Sequence, residues 1–250
     1  MSDRAENKPT LIVARRLPEA VEARLAAGYT AHFAEDRAAA DLPALARAHD
    51  AAAMLVAPGV AVTEAVIDAL PPSVRIIATF SVGTDHIALA AAERRGIAVT
   101  NTPDVLTDAT ADLTLLLILA ASRRASEGER LLRAGGWTGW TPTQLMGQGL
   151  AGRRLGIVGM GRIGQAVAAR ARIFGLNIHY HGRRALPETE ARGARFHARL
   201  EDLLAVSDIL SLHCPLTPET RGLIDAERLA RLPPQAILIN TGRPPVRGRA

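Results

Sequence analysis

Short apolar runs alternate with amphipathic stretches along the first hundred residues. Leu11–Ala14, Thr30–Phe33, Ala52–Ala57, Val74–Phe80 and Ile97–Val99 have the content of strands. Between them Glu19–Ala27, Leu42–His49, Thr63–Leu70 and Asp85–Arg95 read as helices, several preceded by Pro or Thr or stopped by Gly. Repeated βα units predict an open parallel sheet with helices on both faces. A long helix is expected from about Asp108 to Arg133, with Leu113, Leu116, Leu117, Ala120 and Ala121 along its buried side. A loop rich in Gly and Trp follows, then further strands at Leu155–Val158, Leu176–Tyr180, Ile209–His213 and Ala236–Asn240. A doubly wound α/β domain commonly has about six strands, so this second sheet is expected to stop before it is finished. The closing Arg243-Pro-Pro-Val-Arg-Gly-Arg-Ala250 reads as a tail, since Pro-Pro blocks both helix and central strand.

Within the second set, Leu155-Gly-Ile-Val-Gly159-Met-Gly161-Arg-Ile-Gly164 closes an apolar strand on G-x-G-x-x-G and opens a helix with apolar positions Ile163, Ala166, Val167, Ala171 and Phe174. Gly175 is placed to cap that helix. Such a strand, glycine turn and helix N-terminus form a site for a dinucleotide pyrophosphate. Gly159 permits the turn, Gly161 lets the backbone approach the phosphates, and Gly164 lets the helix pack on the strand. The rival reading is a merely structural turn. Cofactor preference is written at the end of the next strand. An NAD site usually carries Asp or Glu there for the ribose 2′-hydroxyl. Here stand Gly182, Arg183 and Arg184, and no carboxylate occurs from Asn177 until Glu188. Guanidinium groups pair with a 2′-phosphate that a carboxylate would repel, so NADP(H) is expected over NAD(H). The alternative is that the two arginines decorate an exposed loop of an Arg-rich chain.

Composition narrows the class. Hydrophobic residues make up 48% and charged residues 22% of the 250, the pattern of a globular protein. The net charge of +5 rests almost wholly on arginine, for Lys8 is the one lysine. No basic stripe with interleaved aromatics appears, so nucleic acid is not an expected partner. The single cysteine, Cys214, excludes an internal disulfide and a cysteine-based metal cluster. No metal site is expected; Asp108 and Asp112 read as dipole complements near a helix start. The polar Met1 to Thr10 lacks a signal-peptide core, and Leu113 to Ala121 is too short to span a bilayer. A cytoplasmic protein without membrane association is the expectation.

Taken together, several segments resemble the D-isomer-specific 2-hydroxyacid dehydrogenases, most closely the glyoxylate/hydroxypyruvate reductase branch. These are Ser81-Val-Gly-Thr-Asp-His-Ile87, Val99 to Asp112 entering the long helix, Gly136-Trp-Thr-Gly-Trp140, His213-Cys-Pro-Leu-Thr-Pro-Glu-Thr-Arg-Gly-Leu-Ile224 and Ile237-Leu-Ile-Asn-Thr-Gly-Arg243. The resemblance implies two Rossmann-like doubly wound parallel-sheet domains: residues 1–104 for substrate and residues 105–250 for the dinucleotide, the latter incomplete at its C-terminus. It implies hydride transfer between NADP(H) and a small 2-oxo or D-2-hydroxy acid. Backbone N–H groups at Val82 and Gly83 would hold the substrate carboxylate. Arg243 would polarise the carbonyl. Leu106 and Thr110 would form the nicotinamide wall, and Met160, Arg162 and Ile163 would complete the glycine turn. His213, Cys214, Pro215 and Thr220 would form the loop over the nicotinamide ribose, with Asn240, Thr241 and Gly242 beneath it. Trp137 and Trp140 fit packing or a homodimer contact better than a ligand stack.

The family's proton-donating His and its Glu partner lie downstream of the arginine. In this sequence all seven histidines precede Arg243, and no Glu follows it. Pro244 and Pro245 stand where the family continues with glycines. The expectation is therefore a shortened or frame-shifted chain with impaired turnover. Its rival is a non-catalytic dinucleotide-binding or interaction protein built on the same fold. A short-chain reductase fits poorly, because that class places its glycine motif near the N-terminus and uses a Tyr-x-x-x-Lys pair absent here.

Overall fold

A computed structural model describes residues 8–34, 41–243 and 246. Its contacts divide the chain into two compact units, Met1–Asp104 and Val105–Ala250.

In the first unit the elements run β1 (Thr10–Val13), α1 (Glu19–Gly28), β2 (Thr30–Phe33), α2 (Leu42–Ala48), β3 (Ala53–Val56), α3 (Glu64–Ala69), β4 (Ile76–Thr79), α4 (Leu89–Arg94) and β5 (Ala98–Thr100). All pairings are parallel, in the order β2-β1-β3-β4-β5. Ile12, Met54, Val56 and Ile77 of the strands pack with Leu42, Ala46, Ile67 and Ala92 of α2, α3 and α4 in one core. Helix α1 buries no residue fully. The Thr63 hydroxyl accepts the Val66 N–H at 3.4 Å and caps α3. Helix α4 begins at Leu89, later than the expected Asp85. Residues 85–88 form a turn whose Ile87 N–H bonds the Thr84 carbonyl, and Ile87 bridges Val62 instead of starting the helix.

The second unit runs α5 (Thr107–Ser122), α6 (Ala125–Arg133), β6 (Arg154–Val158), α7 (Arg162–Ile173), β7 (Asn177–His181), α8 (Glu188–Ala191), β8 (Arg195–Phe196), α9 (Leu200–Leu204), β9 (Ile209–Leu212), α10 (Ala226–Leu229) and β10 (Ile237–Asn240). The five strands are parallel in the order β10-β9-β6-β7-β8. Counted from β6 this is 3-2-1-4-5, five positions of the dinucleotide-domain order. Side chains alternate between two cores. Leu155, Ile157 and Ile209 meet α5 and α7, whereas Val158, Leu210 and Leu212 meet Leu203 and Leu204 of α9. A fork from Arg154 Nε and Nη2 to the Asp208 carboxylate, at 3.0 and 2.8 Å, ties the starts of β6 and β9. The Arg154 hydrogen bond holds the Asp208 carboxyl below its ordinary range.

Five further expectations are corrected. The single long helix is two, broken where Arg124 adopts a left-handed φ of 53°. Its buried side is also different: Ala111, Thr114, Leu115, Ile118 and Ser122 are buried, while Leu113, Leu116 and Leu117 are 47%, 60% and 38% exposed. Apart from Thr114 the Leu113–Ala121 run is apolar on every side, so periodicity alone could not choose the face. A fifth strand, β8, joins the sheet; at two residues it was too short to leave a pattern. Finally, the tail is not wholly unpacked. Val246 is buried in the α9-side core, its N–H bonds the Arg243 carbonyl and its carbonyl accepts the Ile224 N–H. Pro244, Pro245 and residues 247–250 lie outside the described residues. Phe174, expected on the apolar stripe of α7, is 41% exposed; Gly164, Val167, Ala168 and Ala171 form its buried side, and Gly175 ends it at a φ of 75°.

Candidate functional site

In the second unit the connection out of β6 crosses to β7 on one side, while β9 pairs on the other. The carboxyl end of β6 is thus the switch point where open α/β sheets bind ligands. The turn Gly159-Met160-Gly161 occupies it. Gly159 N–H bonds the His181 carbonyl at 2.9 Å, and the His213 N–H bonds the Val158 carbonyl at 2.8 Å, so the turn is set between the ends of β7 and β9. Gly159 has a φ of 95°, and a Cβ there would lie 2.7 Å from the Cys214 nitrogen. A Cβ on Gly164 would collide with the Gly159 carbonyl oxygen. Both glycines are demanded by the fold itself. Gly161 is different: its φ of −79° suits any residue, and a Cβ would meet nothing within 4 Å. The fold gives no reason for glycine there. A phosphate lying against the backbone does, and among the described residues no side chain caps α7 at its N-terminus. These residues fit a dinucleotide pyrophosphate.

At the end of β7, buried Tyr180 accepts the Leu186 N–H at 2.8 Å and closes the 181–186 loop. Arg183 and Arg184 are exposed on it, and neither pairs with a carboxylate among the described residues. Nearby His179 Nδ1 lies 2.9 Å from His197 Nε2, and burial lowers the pKa of both. At the end of β9, His213 Nε2 lies 2.8 Å from Ser211 Oγ, and burial pushes its pKa down to about 4. His213 is therefore neutral near pH 7. Burial raises the Cys214 thiol, the opposite of an activated nucleophile. Thr220 Oγ1 donates to the Pro215 carbonyl at 2.6 Å and accepts the Thr217 N–H at 2.8 Å, which shapes the 215–220 loop.

The end of β10 folds around Asn240. Its Oδ1 accepts the Gly242 N–H at 2.9 Å and its Nδ2 donates to the Arg243 carbonyl at 3.1 Å. Thr241 Oγ1 lies 3.0 Å from Thr114 Oγ1, whose proton is committed to the Thr110 carbonyl at 2.8 Å. This joins the β10 end to the start of α5, where Leu106 and Thr110 are half-buried. Sequence reasoning missed that link, because its partners are 127 residues apart. It also missed Arg170, which reaches Asp108 at 2.8 Å and Asp112 at 2.6 Å and gives those acids an arginine partner. Among the described residues no group of His, Cys, Asp and Glu could hold a metal ion. A cavity of about 420 Å³ lies along the outer edge of β10, lined by Leu117, Ala121, Arg124, Leu238 and Asn240 among others. Of the site residues, it touches Asn240 alone.

Val82 and Gly83 belong to the first unit, in the loop after β4. The Thr79 and Ser81 hydroxyls beside them are buried and mutually bonded at 2.8 Å.

Residues 115–248 match the family model for the D-isomer specific 2-hydroxyacid dehydrogenase, NAD binding domain. The chain is 49% identical over 176 residues to a glyoxylate reductase of Thermococcus litoralis, covering 69% of this chain and 53% of that protein. It is 40% identical over 241 residues to a glycerate dehydrogenase of Hyphomicrobium methylovorum, covering 95% and 74%. A solved NADPH-dependent glyoxylate/hydroxypyruvate reductase of Sinorhizobium meliloti, in complex with NADP and malonate, superposes with a TM-score of 0.85 at 35% identity over 96% of this chain and 73% of that one. The match spans about half the length of several of the glyoxylate reductases. Among the described residues no helix is long and apolar enough to cross a membrane.

Proposed function

The chain belongs to the D-isomer specific 2-hydroxyacid dehydrogenase family, in its glyoxylate reductase branch, and on that premise we propose that it serves hydride transfer between NADP(H) and a small 2-oxo acid. The observation that carries the reading is the glycine turn at the switch point of the second sheet, with Gly161 free of any internal need for glycine. When bound, the dinucleotide supplies the hydride. The protein's part is to bind, orient and neutralise. The amides of the Gly159–Gly164 turn and the α7 N-terminus take the diphosphate. Arg183 and Arg184 favour a 2′-phosphate, there being no acid between Asn177 and Glu188 to bond a free 2′-hydroxyl. Leu106, Thr110, Cys214 to Thr220 and Asn240 to Gly242 surround the nicotinamide end. Val82 and Gly83 N–H groups hold the substrate carboxylate. Arg243 stabilises the negative charge that develops on the carbonyl oxygen.

A proton must also reach that oxygen. No histidine follows His213 and no glutamate follows Glu227 in these 250 residues, and His213 itself is neutral and bonded to Ser211. General-acid catalysis contributes about 10²–10⁴ in rate. Against a median turnover of about 10 s⁻¹, the 250-residue polypeptide is expected to work at about 10⁻¹ to 10⁻³ s⁻¹. The assay is NADPH oxidation at saturating glyoxylate or hydroxypyruvate. Slow, substrate-dependent oxidation that Arg243→Ala abolishes supports the proposal. A full enzyme rate contradicts the impairment. Binding of NADPH with no substrate-dependent oxidation favours a dinucleotide-binding protein without turnover, a reading that the neutral His213 also suits. We further propose that the molecule pairs with a second copy through the exposed leucines of α5 and the Trp137–Trp140 loop, where Trp140 is 80% exposed.

A further inference from the structure

The loop after β4 is held from behind at three successive carbonyls. The Ser81 carbonyl accepts the Thr102 N–H at 2.9 Å. The Val82 carbonyl accepts Asn101 Nδ2–H at 2.8 Å. The Gly83 carbonyl accepts Ser81 Oγ–H at 2.6 Å. A peptide unit is planar and trans, so each carbonyl bond fixes the next residue's N–H, which points the opposite way in the same plane: the Ser81 carbonyl sets the Val82 N–H, the Val82 carbonyl the Gly83 N–H, and the Gly83 carbonyl the Thr84 N–H. The amides of Val82 and Gly83 donate to no described residue. Two adjacent donors with fixed planes and unspent protons make an anion-binding nest.

The hydroxyls behind Gly83 form a directed chain. Ser81 has one proton and gives it to the Gly83 carbonyl, so Thr79 must donate across the 2.8 Å contact to Ser81. Thr79 then has no proton left for His86, whose Nε2 lies 2.9 Å away, and His86 must carry hydrogen on Nε2 and donate. Thr79 is 2% and Ser81 8% exposed, so water cannot substitute freely in the relay. Bonds in such a series strengthen one another and fix the Gly83–Thr84 peptide, while the Asn101 bond to the Val82 carbonyl makes the Gly83 N–H the better donor.

We infer that Asn101 is a positioning residue that aims and strengthens the Gly83 amide toward a substrate carboxylate, and that the His86–Thr79–Ser81 relay holds the same nest in place by anchoring the following peptide, Gly83–Thr84. The inference rests on the reading that the Val82 and Gly83 amides take the carboxylate. Neither Asn101 nor His86 need touch the ligand.

The test is titration of the ¹⁵N-labelled 250-residue chain, saturated with NADPH, with oxalate as a planar carboxylate probe, following the amide signals of Val82 and Gly83. Both signals are expected to move in the wild type. Asn101→Ala and His86→Leu are each expected to weaken oxalate about tenfold. His86→Gln keeps a donor near the Nε2 position and is expected to stay within about threefold. NADPH affinity should be unchanged throughout, which a general loss of structure would not allow. Static Val82 and Gly83 signals in the wild type would sink the carboxylate reading and the inference with it. Wild-type response with unaltered oxalate affinity in Asn101→Ala would overturn the inference alone. Because Asn101 is exposed, that variant decides the matter even if His86→Leu does not fold.

Discussion

Replacing Gly161 by alanine separates what the glycine turn does for the fold from what it does for a ligand. At φ −79° and ψ −164° the backbone is open to any residue, and the added methyl meets no atom within 4 Å. The cost to the folded chain is confined to a poorer N-cap, at most about 1 kcal/mol. It is offset by the reduced freedom of the unfolded chain, about 0.4–1 kcal/mol. Stability without ligand should therefore change by less than about 1 kcal/mol. Against a pyrophosphate in van der Waals contact the same methyl is an overpacking change, about 1–3 kcal/mol, or about tenfold to hundredfold in affinity. Thermal unfolding with and without NADPH reads both quantities. At a ligand concentration of about 100 Kd the wild type gains about 2.7 kcal/mol, which for a chain of this size is about 5–11 °C. At the same concentration Gly161→Ala retains about 0.4–1.4 kcal/mol, or about 1–6 °C. Gly164→Ala is the contrast, because its Cβ meets the Gly159 carbonyl and destabilises the chain before any ligand is added. A Gly161→Ala variant that gains as much from NADPH as the wild type would refute the argument that the turn's open face receives the diphosphate.

Other outcomes follow from the same geometry. Exchanging Arg183 and Arg184 for Asp and Ser should weaken NADPH about tenfold to hundredfold and leave NADH unchanged or tighter; equal losses for both nucleotides in paired titrations would count against a 2′-phosphate contact. His213 has a folded pKa of about 4 against an ordinary 6.5. The unfolded chain therefore binds the proton first, and the neutral-histidine contribution, whole above about pH 6.5, should drain away as pH falls toward 4, up to about 3 kcal/mol. Denaturant melts of wild type and His213→Gln across that range should converge in acid, and parallel curves would contradict the assignment. Leu116→Glu, at a position 60% exposed on α5, should shift a dimer to monomer in light scattering without lowering NADPH affinity; an unchanged mass would remove that face from the interface.

The strand, turn and helix around Gly159–Gly164 were legible because three independent local signals coincide there: a β-rich apolar run, glycines at fixed offsets, and an apolar helical stripe. The same logic failed along α5. Leu113 to Ala121 offers no polar side to mark, and only tertiary packing against β6, α7 and β10 selects Thr114 and Ser122 for burial over three leucines. The break at Arg124 needs a left-handed φ that arginine rarely announces. β8 is two residues of an edge strand, below any period. Contacts that assemble the site, Thr114 with Thr241 and the glycine turn with His181 and Cys214, join distant segments. They become visible once the order β10-β9-β6-β7-β8 brings the strand ends to one edge.

The central claim is that the second unit holds a phosphorylated dinucleotide at its glycine turn, and calorimetric titration of the folded 250-residue chain with NADPH and with NADH tests it most directly. The account predicts saturable binding of both, with NADPH the tighter. A cooperatively folded sample that takes up neither nucleotide would contradict it, and tighter NADH would contradict the role given to Arg183 and Arg184.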